Sequence, residues 1–172
     1  MRNFDGFYKG IDLGGWISQC GKNYNDEHYS TFITEKDIEK IASMGLDHVR
    51  MPVDYNVIQT EDGKLIESGM AYIENCVGWC KKHGINIVID LHKTCGYIFD
   101  DPTYCGFFAN EKLQDQFVYL WQEIAKRYGN DEHIAFELLN EITSADFTES
   151  WNKIASRTIK EIRKIAPDTK IV

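Results

Sequence analysis

Four stretches of this sequence end on side chains that can bind a polar ligand or move a proton: Asp12 in "GIDLGGW", Arg50 in "DHVRMPVDY", His92 in "IVIDLH", and Asn140 with Glu141 in "AFELLNEI". The last is the most unusual, because a buried carboxylate is costly unless it is paired or neutralised. Each residue alone has a structural reading. Asp12 can turn a loop, Arg50 can pair with Asp54 or Asp90, His92 can be a satisfied core histidine, and Glu141 can already have left for solvent. Gathered on one edge, they would bring a guanidinium, an imidazole, an amide and a carboxylate into a small volume. Glu137, lower on the same run, reads as the structural partner of a buried cation.

The elements needed to gather them are legible. "FYKGIDLGGW" reads as a first strand ending at Gly14-Gly15. "TEKDIEKIASMG" then places Ile38 and Ile41 at helical spacing, with Thr34 and Asp37 as a capping box and Gly45 as terminator. "DHVRMPV" is the next strand, and "SGMAYIENCVGWCKKHG" a helix with Met70, Ile73, Val77 and Cys80 on one face. "INIVIDLH" suits a strand covered on both faces. "NEKLQDQFVYLWQEIAKRYG" carries the stripe Leu113, Phe117, Leu120, Ile124 and Tyr128. "IAFELLNEI" is a fourth strand, "FTESWNKIASRTIKEIRKIAP" a helix through Trp151, Ile154, Thr158 and Ile162, and "TKIV" begins a fifth strand.

Strands alternating with helices at this spacing pair in parallel through right-handed crossovers, so the class is α/β. An open doubly wound sheet and the wall of an eight-stranded β/α barrel both fit. No GxGxxG or P-loop follows the first strand, which favours the barrel. In either architecture the carboxyl ends of the strands form the ligand edge.

With 172 residues, 43% of them apolar, the chain is sized for a single domain over 1–172. A formal charge of -8 disfavours nucleic acid and anionic lipid as partners. No apolar run approaches the ~20 residues of a membrane helix. The five cysteines form no CxxC pair and the amino terminus carries no apolar leader core, so a reducing cytoplasm is expected, or secretion if a leader has been removed. Cys76, Cys80 and His83 have zinc-like spacing but lack a fourth ligand, so no metal or other cofactor is expected.

The loops at the ligand edge are rich in rings: Trp16, Tyr24, His28 and Tyr29, then Tyr55, then Tyr97, Phe99, Tyr104, Phe107 and Phe108. Aromatic faces with polar tips suit a sugar, apolar on its CH faces and hydroxylated at its edges. Trp16 and Tyr55 are the candidate sugar contacts, whereas Phe107 and Phe108 read as anchors of a long loop.

In these same four stretches, in order and at plausible spacing, the sequence resembles glycoside hydrolase family 5, the cellulase-type retaining β-glycosidases. The Asn-Glu ending is the most specific element. The resemblance implies that Glu141 is the general acid/base, that Asn140 hydrogen-bonds the sugar 2-hydroxyl, that Arg50 supports the nucleophile and that His92 binds near the reacting sugar. It implies a β-linked oligo- or polysaccharide substrate, with endo-β-1,4-glucanase action expected first and exo-β-1,3-glucanase or β-mannanase action as alternatives. A non-catalytic carbohydrate-binding half-barrel stays open, as does an α/β enzyme binding metal through Asp12, His92 and Glu141.

One departure from the family matters. Its nucleophile is a glutamate near the end of the seventh strand, and this sequence reaches only the fifth. The expected fold is therefore the N-terminal half of a (β/α)8 TIM barrel, strands 1 to 4 and the start of strand 5. Such a half is expected to expose Ile11, Val49, Val88 or their neighbours on an open inner face, and to need a C-terminal half-barrel or self-association to cover it. Lys93, next to His92, reads as a surface lysine.

Overall fold

The computed structural model describes residues 4–101 and 103–172, leaving the first three residues of the stretch inspected for a leader outside it. The chain alternates strand and helix: β1 (Gly10–Asp12), α1 (Asp26–Thr31), α2 (Glu35–Ser43), β2 (His48–Asp54), α3 (Tyr55–Ile58), α4 (Glu67–His83), β3 (Asn86–Lys93), α5 (Glu111–Tyr128), β4 (Ile134–Glu137), α6 (Thr148–Ile165) and β5 (Lys170–Ile171). The strands form one sheet in the order β1-β2-β3-β4-β5, every neighbour parallel. That order never reverses. A doubly wound sheet has a switch point where it does, so this is a barrel wall rather than an open sheet.

Local chemistry accounts for the helix ends. The Thr34 amide donates to Asp37 Oδ2 at 2.8 Å, closing the start of α2. Asn110 Oδ1 accepts from the amides of Lys112 and Leu113 and starts α5. Gly84 ends α4 at φ 68°, its N–H reaching the Cys80 and Lys81 carbonyls from a left-handed conformation open to glycine. Gly69 serves close approach instead, since a Cβ there would lie 1.8 Å from the Val57 carbonyl oxygen of α3. Cys76 and Cys80 line the buried face of α4, while His83 leaves that face and bonds Glu35 at 3.1 Å.

The apolar core lies between sheet and helices. Val49, Met51 and Val53 of β2, Ile87, Ile89 and Leu91 of β3, and Ile134 and Phe136 of β4 are buried against Ile38, Ile73, Phe117, Trp121, Ile154 and Ile162. Truncating Phe117 or Trp121 to alanine should cost about 3 to 5 kcal/mol.

Three expectations need correction. The first strand is only three residues long, because the chain turns away at Leu13 and Gly15 takes φ 78°. The fourth strand stops at Glu137 instead of running through residue 142. Beyond it the chain still follows β3, with the Asn140 amide on the Leu91 carbonyl at 3.1 Å and Trp121 Nε1 on the Leu138 carbonyl at 3.1 Å.

The third correction concerns the open face. Val49 is fully buried on the helix side, and Ile11, which pairs with it in register, is 45% exposed on that same outer side. Side chains alternate along a strand, so the inner face carries Asp12, Arg50, Asp90 and Glu137, with only Val88 apolar among the three residues expected there. The concave surface at the carboxyl ends is therefore charged.

Candidate active site

Arg50 is the hub of that charged surface. Its Nε and Nη2 grip Glu137 at two points, each 2.7 Å long. Nη2 also reaches Asp90 Oδ2 and Asn140 Oδ1, each at 2.9 Å, and Nη1 reaches Asp12 Oδ1 at 3.2 Å. One planar guanidinium thus ties together β1, β2, β3, β4 and the turn after β4, a task for which its fixed fork of donors is suited. Donating to the Glu137 carboxylate, opposed by partial burial, raises the Arg50 pKa, so the hub stays charged.

Asp90 has no solvent exposure. Burial pushes its pKa up to about 6, and the Glu137 charge pushes the same way, against the pull of His92 and Arg50. Its Oδ2 lies 2.7 Å from His92 Nδ1. If that nitrogen carries the proton, the other, Nε2, is an acceptor. Among the described residues Nε2 is buried without a partner, as are Nδ2 of Asn140 and Oδ1 of Asp90 itself. Three buried polar atoms left free on residues gathered around one guanidinium are suited to a hydroxylated ligand, because a ligand that bonds such atoms recovers their desolvation cost.

Glu141 follows Asn140 at the rim. Its residue is exposed, and among the described residues its carboxylate has no hydrogen-bond or ion-pair partner. Its backbone is unusual for a glutamate, with φ 42° in the left-handed region.

The rings are distributed differently from expectation. Trp16 is fully buried, its Nε1 bonded to the Tyr29 carbonyl at 2.7 Å and its ring stacked 6.1 Å from Trp79, so it pillars the first loop and presents no face to a sugar. Tyr55 is also buried, with its hydroxyl among Tyr104 and Cys95; burial first, then the Tyr104 bond, raises its pKa. Tyr97 is buried too, and its hydroxyl donates to the Glu141 carbonyl at 2.6 Å. Phe107 and Phe108 anchor the loop before α5 as expected. Phe99 lies edge-on to His92 at 5.5 Å, the ring best placed beside the polar cluster.

Lys93 is not a surface lysine. Its Nζ pairs with Asp54 Oδ2 at 3.1 Å, and the carboxylate is completely buried. Asp54 also accepts from Ser18 Oγ at 2.7 Å, from the Gln19 amide at 3.1 Å and from the Tyr24 hydroxyl. This second cluster fastens the loop after β1 to the ends of β2 and β3. The signals were present in the sequence: Asp54 and Lys93 end neighbouring parallel strands and pair in register, and Asp90 shares a strand face with His92 two residues on.

Among the described residues no group of three or more His, Cys, Asp or Glu side chains is placed to hold a metal, and no helix is long and apolar enough to cross a membrane. The cation amid the inner-face carboxylates is Arg50 itself.

The chain is similar to several known proteins. Cellodextrinase A of Ruminococcus flavefaciens is 50% identical over 170 residues, covering 97% of this chain and 50% of the relative. Endoglucanase C of Acetivibrio thermocellus is 49% identical over 162 residues, covering 92% and 47%. The solved Clostridial cellulose synthase subunit Z of Clostridioides difficile superposes with a TM-score of 0.77 at 26% identity, covering 96% of this chain and 51% of that one. The chain spans about half the length of the relatives it matches, and the structure is half of their barrel. Residues 12–172 match the family Cellulase (glycosyl hydrolase family 5), and the chain belongs to that family.

Proposed function

We propose that the chain is the N-terminal half of a retaining β-glycoside hydrolase that cleaves β-1,4-glucan by endo action. In this reading Glu141 is the general acid/base, Asn140 and His92 bind the reacting sugar, and Arg50 steadies a nucleophilic glutamate supplied by the C-terminal half of the barrel. The names of the two relatives, a cellodextrinase and an endoglucanase, support β-glucan as the substrate class.

The observation that carries the reading is that His92 Nε2 and Asn140 Nδ2 are buried and, among the described residues, without a partner, at the rim where Glu141 stands. Retaining hydrolysis needs a protonated acid on the leaving oxygen and a second carboxylate about 5 to 5.5 Å away that attacks the anomeric carbon. The glycosyl–enzyme ester is then hydrolysed by water that the first residue, now a base, deprotonates. Asn140 Oδ1 is already occupied by Arg50, so its Nδ2 is the end left to donate to a sugar hydroxyl. A hydroxyl contact of this kind strengthens as positive charge grows on the ring.

The test is Glu141→Gln in a barrel closed by a C-terminal half. Hydrolysis of an unactivated β-glucan should fall by about 100-fold or more, and the wild-type product should first appear as the β anomer by NMR. Near wild-type turnover of the variant, or early α anomer, would refute the proposal.

A further inference from the structure

Glu141 has an unusual problem of aim. Its carboxylate has no partner among the described residues, so only the backbone sets its direction, and that backbone sits at φ 42°. L residues other than glycine avoid this region, because Cβ crowds the adjoining carbonyl. Left alone, the peptide would relax to negative φ and swing the side chain off the rim. Such a conformation persists only where its surroundings over-determine it.

Tyr97 supplies that constraint. Its hydroxyl donates to the Glu141 carbonyl oxygen at 2.6 Å and accepts from the Thr143 amide at 3.3 Å, bridging the turn from one side to the other. The ring cannot swing away. It meets Phe108 edge-on at 5.0 Å and Phe147 at 6.3 Å, and those two stack on each other at 4.1 Å and 9°. Upstream, Asn140 is fixed by its amide on Leu91 and by Arg50, so the chain is held on both sides of Glu141.

We infer that Tyr97, placed by the loop after β3, is a positioning residue for the reaction: its hydroxyl locks the left-handed backbone of Glu141 and so aims the general acid at the leaving oxygen. This rests on the proposed acid/base role of Glu141. The Tyr97 hydroxyl is thereby assigned to the peptide of Glu141 and not to a sugar.

The test uses leaving-group dependence in the closed barrel, comparing Y97F and E141Q with wild type. Phenylalanine keeps the ring contacts and removes only the bridge. A misaimed acid hurts substrates whose leaving group needs protonation and spares those whose leaving group departs as a stable anion. Y97F should therefore lower kcat on cellotetraose by about 10-fold or more with KM nearly unchanged, and leave kcat/KM for 2,4-dinitrophenyl β-cellobioside close to wild type. E141Q should show the same contrast, more steeply. Equal loss on both substrates, or no loss on either, in Y97F alongside a contrast in E141Q overturns the inference and leaves the acid/base role standing. No contrast in E141Q overturns both. Should Y97F melt well below wild type, p-aminophenylalanine at position 97, which retains a donor at the same ring position, should give the wild-type contrast; a contrast resembling E141Q overturns the inference.

Discussion

Arg50 and Glu137 are joined at two points, Nε to Oε2 and Nη2 to Oε1, both at 2.7 Å, across the whole width of β3. The same guanidinium meets Asp12, Asp90 and Asn140. A half-barrel whose concave face would otherwise collect three carboxylates is held together there by one cation. The pair is geometrically specific, and its partners are left exposed to mutual repulsion when it is removed.

Arg50→Ala should therefore destabilise the fold by about 2 to 3 kcal/mol, at or below the low end for a broken buried pair, because Arg50 and Glu137 side chains are each 26% exposed. Arg50→Lys keeps the charge but cannot make the two-point grip, and should fall between. Urea unfolding of the closed barrel reads both. A loss within about 0.5 kcal/mol, ordinary for a surface site, would contradict the hub.

Asp90 gives the fold a signed pH dependence. Its pKa, pushed up to about 6 by burial, exceeds the unfolded value near 3.9. The folded state then holds a proton that the unfolded state has lost, so this group's contribution to stability is fully present below about pH 4 and declines as pH rises through about 6. Asp90→Asn removes the ionisation. Urea midpoints of the closed barrel, measured from pH 4 to 7, should show the wild type losing stability relative to the variant across that window. Parallel curves would show that burial does not govern Asp90.

The Asp54 cluster predicts an order of effects. Asp54→Ala leaves a half-buried lysine and three other donors without their acceptor, and should cost about 3 kcal/mol while opening residues 18–25 to proteolysis. Lys93→Met should cost less, because Ser18, Gln19 and Tyr24 still donate to Asp54. A larger effect from Lys93→Met would reverse the assignment of Asp54 as the anchor.

Periodicity was enough to place α2, α4, α5 and α6, because their apolar stripes and caps are local. Strand order and the shared edge followed from the alternation of elements. What local pattern could not resolve was which way a ring points. Trp16 and Tyr97 lie in loops at the ligand edge and Tyr55 opens α3 there, yet each turns inward, for reasons set by partners distant in sequence: Trp79 on α4, Tyr104, and the Glu141 carbonyl. Lys93 turns inward for the same reason, since its partner Asp54 is 39 residues away. The polar inner face is a matter of register: a one-residue difference in parity decides whether Val49 or Arg50 faces inward, and the branched run at residues 87–89 of the neighbouring β3 hides that parity.

A groove of mixed polarity runs along the last helix and strand, lined by Leu138, Leu139, Trp151, Ile159 and Ile171 together with the charged Glu137 and Arg163. With β1 and β5 as edges, it is where a C-terminal half-barrel would seat. Residues 1–172 alone should associate or remain partly molten and should not hydrolyse soluble glucan; adding a C-terminal half in trans should yield a monodisperse complex and activity. Light scattering and a reducing-sugar assay read the two outcomes. A stable, active monomer of residues 1–172 would contradict the half-barrel reading.

The most direct test of the acid/base assignment is azide rescue of Glu141→Ala in the closed barrel, with 2,4-dinitrophenyl β-cellobioside as substrate. The activated leaving group departs without an acid, so the glycosyl–enzyme ester forms, but its hydrolysis stalls without the base. Azide needs no deprotonation and can attack the anomeric carbon, releasing the nucleophile's carboxylate. Turnover should rise with azide, and the product should be the β-configured cellobiosyl azide, the outcome of two inversions. No acceleration, or an α-configured azide, would contradict the assignment of Glu141 as the acid/base of a retaining glycosidase.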